Sequence, residues 1–266
     1  MTVLAVPNWA LVPDNLVSAA NDLRSSELTV HYCDGDVDHQ RTVTAFSGAW
    51  EDVARGVEHL CSAWFPLIDL SAENSGVHPK VGALDVCPFV LLEGEETKLI
   101  EAVREFGLGF SQRFEIPVRF YERSGDGTAL PDLRRGGVAA QPDRHPKWGV
   151  TVMGVRGFLL AINVNFSDLT LTKAREIAAK IRHDRDLGEP KLNGVRALGL
   201  SLASRGQTQV SMNFTQPDLT SVDDVVEYIE QQAGGRGETE LIGVIRERDL
   251  ATSTRLQVRA EQVVYV

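Results

Sequence analysis

The residues best suited to chemistry are concentrated in Gly76-Val77-His78-Pro79-Lys80-Val81-Gly82-Ala83-Leu84-Asp85-Val86-Cys87-Pro88-Phe89. Pro79 disfavours the α region for the residue before it, so His78 is expected in an extended approach to a strand, presented to a cleft. Histidine titrates nearest to physiological pH of all unperturbed side chains, which suits a proton shuttle. A second polar stretch runs from Asp34 to Val43, in which His39 and Arg41 either bind a carboxylate or stand as solvated strand ends. Cys87 is expected to be a small core residue and not a nucleophile, since nothing nearby in sequence marks a thiolate-stabilising site.

The elements that must position these residues alternate strands with helices. Thr2 to Val6 reads as a strand, Pro13 to Ser25 as a helix, and Leu28 to Tyr32 and Arg41 to Ser47 as strands separated by an acidic turn at Asp34-Gly35-Asp36. From Glu51 to Leu70, apolar residues at Val53, Val57, Leu60, Cys61, Trp64 and Leu67 follow the steps of one helical face. A strand over Val81 to Leu91, a helix over Glu95 to Phe114 and a strand over Pro117 to Tyr121 complete a first half. Glu122 to Lys147 lacks periodicity and is rich in glycine and proline, which predicts a long functional or mobile loop.

The second half repeats the theme. A strand-like run from Val150 to Phe166, interrupted at Gly154 and Gly157, is followed by a helix over Leu171 to His183 and strands over Gly194 to Leu202 and Gln207 to Phe214. A helix over Ser221 to Gln232 and a strand over Glu240 to Ile245 close the order. Ile162, Val164 and Phe166 alternate with Asn163 and Asn165, giving one apolar face and one of amides, either a wet sheet face or the wall of a polar cleft. Two ferredoxin-like βαββαβ-type sandwiches account for this α+β order better than a doubly wound sheet. The expected domains are 1–149, including the linker loop, and 150–266.

Composition narrows the partners. The 266 residues carry a formal charge of −10 with no dense Lys/Arg run, which argues against nucleic acid. A local basic cluster can still receive an anionic small molecule. The N-terminal sequence has no apolar run suited to a signal or membrane span, so a cytoplasmic protein is expected. Three cysteines, an odd count without a CxxC spacing, argue against a disulfide framework or a zinc site.

Residues 78–89 closely resemble the signature segment of the glutamate formimidoyltransferase family. The resemblance extends through Val6-Pro7-Asn8, Asp34 to Val43, Leu67-Ile68-Asp69-Leu70, Trp148-Gly149, Phe158 to Asn165 and Gln209 to Asn213. It implies a two-subdomain fold with a ligand groove between the halves. It also implies transfer of a formimino group from N-formimino-L-glutamate to N5 of tetrahydrofolate, a step of histidine degradation, with tetrahydrofolate as co-substrate and no metal. By the same resemblance His78 is the general acid/base, and Asp34 orients an imidazole or stabilises a cationic formimino group, unless it only forms the turn.

Lys80 stands where the family's pattern usually has arginine, keeping the charge but losing the bidentate fork. His145-Pro146-Lys147-Trp148-Gly149 matches the end of the family's folate-binding loop. Trp148 is thus expected to stack on the folate or to anchor the linker, with Lys147 at a glutamate tail and Gly149 allowing close approach. Two departures are visible. Trp9-Ala10-Leu11-Val12 replaces the family's Phe-Ser-Glu-Gly, and the linker before Trp148 is shorter than usual. Expected partners are reduced folate and formiminoglutamate, with a homodimer allowed. No cyclodeaminase domain is expected after the second half. Two alternatives stay open: a diverged, non-catalytic ligand-binding paralogue, and a 5-formyltetrahydrofolate:glutamate formyltransferase.

Overall fold

The computed structural model describes residues 1–13, 16–24, 27–71 and 79–266. These divide into two compact units, Met1–Arg156 and Gly157–Val266. Each combines a largely antiparallel sheet with helices, an α+β construction. No helix among the described residues is long and apolar enough to cross a membrane.

The first unit contains β1 (Thr2–Ala5), β2 (Asn8–Trp9), α1 (Leu16–Arg24), β3 (Thr29–Asp36), β4 (Arg41–Ala49), α2 (Trp50–Trp64) and β5 (Leu84–Glu93). It continues with α3 (Glu96–Phe114), β6 (Val118–Phe120), α4 (Leu130–Arg135) and β7 (Thr151–Val155). β1 and β2 both lie between β4 and β5, and β3 pairs on the far side of β4. β7 then adds parallel to β5, and β6 parallel to β7. The run from Val150 to Phe166, expected to be interrupted at Gly154 and Gly157, breaks around Gly157 into two strands, the first of which contains Gly154 and belongs to this sheet.

α2 buries Val53, Val57, Leu60, Cys61 and Trp64, the face its spacing predicts, and carries Glu51 and Asp52 in its first turn, where the helix dipole favours acids. It stops at Trp64, short of the expected Leu70, because Pro66 fits only the tighter turn Phe65–Leu67 that follows. Trp9 is fully buried, edge-on to Trp64 at 4.9 Å, with Nε1 donating to Thr44 Oγ1 at 3.0 Å. Trp9 thus keeps an aromatic ring in the core where the family's pattern has phenylalanine, and Leu11, where that pattern has glutamate, packs partly buried against the same core.

Two sequence expectations change here. β3 runs on through Asp36, which pairs with Arg41, so Asp34 lies in a strand and the turn falls at residues 37–40. Gly35 serves close packing: a Cβ there would stand 2.9 Å from Val12 and 3.0 Å from Thr42. The stretch from Glu122 to Lys147 is not a plain loop. It contains α4 and two short 3-10 turns, and Val138 packs with Val81, Tyr121, Val86, Val150 and Val152 against Leu130 and Leu133 of α4. Apolar residues spaced too irregularly for a periodicity signal still fold when a sheet edge offers them a surface.

The second unit contains β8 (Leu160–Phe166), α5 (Leu171–Asp186), β9 (Val195–Leu202), β10 (Gln207–Phe214), α6 (Val222–Ala233) and β11 (Glu238–Ile242). β12 (Ile245–Arg246), α7 (Glu247–Leu250) and β13 (Val263–Val264) follow. Its four-stranded sheet has the order β11-β8-β10-β9, antiparallel throughout. Thr170 caps α5 by accepting from Lys173 N, and Ser221 caps α6 by accepting from Asp224 N. Ile162, Val164, Val210, Met212 and Phe214 form the core with Ile177, Ile181, Val225 and Ile229 of the helices. That leaves the amides of β8 on the opposite face.

Candidate functional site

Asp85, the second residue of β5, is a carboxylate at 0% exposure within an apolar strand. A buried charge must be paired and hydrogen-bonded. Its Oδ1 accepts the Val81 N–H at 2.6 Å, which closes residues 81–85 into a turn. Its Oδ2 accepts from Arg41 Nη2 at the start of β4 and from Arg134 Nη2 on α4 at 2.6 Å. Lys80 lies beside this group, with Nζ 3.5 Å from Gln40 Oε1. Gln40 closes the β3–β4 turn at φ 45°, a conformation few side-chain-bearing residues adopt.

The electrostatics follow from burial and crowding of like charge. Burial pushes the Lys80 ammonium down to about 8, and the neighbouring Arg41 pushes the same way against the pull of Asp85. Burial likewise lowers Arg41 to about 10, opposed by Asp85 and aided by Arg134, so Arg41 stays cationic at neutral pH. Arg41 and Arg134 thus meet at one carboxylate with Lys80 nearby, a locally basic cluster in an acidic chain.

This cluster flanks the densest sequence signal. His78 itself lies outside the described residues, but the chain on either side of residues 72–78 is fastened to one short segment. Leu70 N donates to Lys147 O at 2.8 Å, Ala83 N to Trp148 O at 2.9 Å, and Val150 N to Val81 O at 3.0 Å. Gly149 permits this lacing: it sits at φ +68°, and a Cβ there would stand 2.3 Å from Val81 O.

Of the other expected site residues, Asp34 is exposed on β3 and its carboxylate accepts from Gly35 N at 2.9 Å. His39 is buried and its Nδ1 lies 2.9 Å from Asp36 Oδ1. Pro146 and Lys147 are exposed, with Lys147 Nζ 4.0 Å from Asp69. Trp148 packs against the core, stacked on Phe65 at 5.3 Å and on His145 at 4.4 Å, and its Nε1 donates to Phe65 O at 2.8 Å. His145 Nδ1 in turn accepts from Trp148 N at 3.0 Å. This geometry is that of an anchor. Trp148→Ala is expected to cost about 2 kcal/mol, the scale of two aromatic pairs, read as a lower midpoint in denaturant unfolding. An unchanged midpoint would show that the indole is free to serve a ligand.

In the second unit Asn163 and Asn165 are buried, with Nδ2 of each 3.4 Å from Glu240 Oε2, and Asn165 Oδ1 accepts from Gln209 Nε2 at 2.9 Å. The two amides therefore share one carboxylate. Cys61 and Cys87 are fully buried, and burial raises both thiols, as core residues require and nucleophiles do not.

Sequence reasoning missed Asp85, Arg134 and Gln40 as members of the cluster. A lone acid within Leu84 to Phe89 was a usable signal for a buried ion pair. Nothing in sequence pointed to Arg134, which reaches Asp85 across 49 residues.

The family model described as the formiminotransferase domain, N-terminal subdomain, matches residues 10–156, and that of the formiminotransferase domain matches residues 161–266. The formimidoyltransferase-cyclodeaminase of Sus scrofa is 34% identical, over 73% of this chain and 39% of its own length. The glutamate formimidoyltransferase of Thermoplasma acidophilum is 29% identical over 93% of this chain and 89% of its own length. That of Streptococcus pyogenes serotype M1 is 27% identical over 99% and 95%. The chain thus spans less than half the length of the bifunctional animal relative and most of the length of the two single-activity ones.

Proposed function

The chain belongs to the formiminotransferase family, and on that premise we propose that it transfers a formimino group from N-formimino-L-glutamate to N5 of tetrahydrofolate. The observation that carries the reading is the cationic cluster on Asp85, built beside the segment that bears His78. The donor is an anionic amino acid, and a cluster of Arg41, Lys80 and Arg134 suits its carboxylates. The β8-α5-β9-β10-α6-β11 order, with strands arranged β11-β8-β10-β9, supports the ferredoxin-like reading of the second unit.

In this mechanism N5 attacks the amidine carbon of the donor, a tetrahedral centre forms, and the bond to the glutamate nitrogen breaks. His78 takes the proton leaving N5 and delivers one to the departing nitrogen, a role that general acid–base catalysis rewards by about 10²–10⁴-fold. Arg41 and Lys80 hold the donor, and Asp85 fixes both the guanidinium of Arg41 and the turn next to Lys80. His145 and Trp148 act by holding the 145–149 turn against the core, and Lys147, which is exposed, meets a glutamate tail in this reading. Asp34 is left as a solvent-facing carboxylate for the cationic formimino group.

The test is a transfer assay on the full chain with formiminoglutamate and tetrahydrofolate, run beside 5-formyltetrahydrofolate plus glutamate. Turnover in the first arm supports the reading. Turnover in the second arm alone replaces it with formyl transfer, and turnover in neither removes it.

Lys80 adds a pH signature. Its ammonium, lowered to about 8, loses charge as pH rises through that value, so the donor KM is expected to rise between about pH 7 and 9. Lys80→Arg keeps the charge across that window and should flatten the rise and lower KM, with little change in kcat. A wild-type KM that is level over the same range would show that Lys80 does not meet the donor's carboxylate.

A further inference from the structure

Arg134 is the member of the cluster that no motif announces. It comes from α4, the short helix inside the stretch that the sequence presents as a loop. Its guanidinium has five N–H donors, of which Nη2 donates to Asp85 Oδ2 among the described residues. Its Nε is buried with no hydrogen-bond partner among the described residues. A desolvated donor left unmet is costly, and a group this poorly satisfied next to a second guanidinium is arranged for an anion that both can share.

The rest of the geometry agrees. Arg134 keeps 19% of its side chain exposed and Arg41 keeps 11%, so the pair is held from within by Asp85 while an edge still faces solvent. Leu130 and Leu133 of α4 pack on the apolar cluster around Val81 and Val150, which fixes the helix, and with it Arg134, at the same backbone that carries Lys80. A planar fork held this way fits a carboxylate better than it fits a neutral amide, which would bring a donor of its own against the guanidinium.

We propose that Arg134 is a specificity-determining residue that, with Arg41 and Lys80, receives a glutamyl carboxylate on the Asp85 platform. This deepens the transfer reading above and rests on it. A glutamyl carboxylate has two sources in that reaction, the amino-acid donor and the glutamate tail of the reduced folate. Both present the same group to the site, and binding measurements separate them.

The experiment is calorimetric binding of L-glutamate, tetrahydrofolate and tetrahydropteroate, which lacks the glutamate, to the full chain and to Arg134→Gln and Arg134→Lys. Arg134→Gln should weaken the glutamyl ligand by about tenfold or more, and Arg134→Lys should recover part of the loss by restoring charge without the fork. A loss confined to L-glutamate assigns the site to the donor; a loss for tetrahydrofolate that spares tetrahydropteroate assigns it to the folate tail. Undiminished binding of both glutamyl ligands to Arg134→Gln overturns the proposal, as does an equal loss for tetrahydropteroate. Should Arg134→Gln fold poorly by thermal melting, wild-type affinity in Arg134→Lys overturns it instead. A wild-type chain that binds L-glutamate through Arg134 yet transfers nothing keeps this inference and loses the transfer reading. A chain that transfers while its affinities ignore Arg134 does the reverse.

Discussion

Asp85→Ala is expected to lower the unfolding free energy by about 3–5 kcal/mol, the cost of leaving a buried ion pair without one partner. The carboxylate is fully buried and holds Arg41 and Arg134 on one oxygen and the Val81 N–H on the other. Its removal strands two guanidinium groups in a poorly hydrated place and frees the turn at residues 81–85. Asp85→Asn keeps the shape and an acceptor but not the charge, so its cost should fall between alanine and wild type. Urea unfolding measures both. A loss below about 0.5 kcal/mol for Asp85→Ala, the scale of ordinary surface substitutions, would show that water reaches the guanidinium groups and that the cluster is not a platform.

The same cluster explains what sequence could and could not convey. Periodic segments were legible because their pattern and their burial are the same fact: Val53 to Trp64 lies on one helical face and is buried on it, and Gln207 to Phe214 alternates and forms β10 with those bounds. The error at Asp34-Gly35-Asp36 has a definite cause. Aspartate and glycine are turn formers in isolation, yet the β3–β4 ladder continues through them because pairing to Val43, Thr42 and Arg41 outweighs local preference. Trp148 illustrates a different limit. A tryptophan beside a glycine suggests a ligand platform as readily as an anchor, and the choice depends on Phe65 and His145, whose proximity no local pattern encodes.

The site itself was half visible. Arg41, Lys80 and Asp85 all stand within stretches whose residue types invite chemistry, whereas Arg134 sits in a stretch whose glycines and prolines read only as a connection. What joins them is a buried charge that needs partners, a long-range requirement that composition expresses without saying which residue meets it. Conversely, the polar face of β8 was legible from alternation alone, and its meeting with Glu240 depends on the β11–β8 register.

His78→Ala is expected to lower kcat for formimino transfer by about 10²–10⁴-fold, the contribution of a well-placed general acid–base, and to leave the donor KM nearly unchanged. The segment that carries it is fastened on both sides by backbone hydrogen bonds that do not involve the imidazole: Leu70 to Lys147, Val150 to Val81, and Val81 to the Asp85 carboxylate. Substitution at residue 78 leaves these bonds in place, and the melting temperature is expected to stay within a degree or two of wild type. Added imidazole separates the chemical role from a structural one. It should restore part of the lost turnover to His78→Ala, with a dependence on pH that follows the free base of the added imidazole, whereas it cannot repair a misfolded site. Full activity in the variant would remove His78 from the reaction. Lost activity with a lowered melting temperature and no response to imidazole would assign the residue to structure, and the proton would then have to be carried by another group, with Lys80, lowered to about 8 in the adjoining cluster, the next to be substituted.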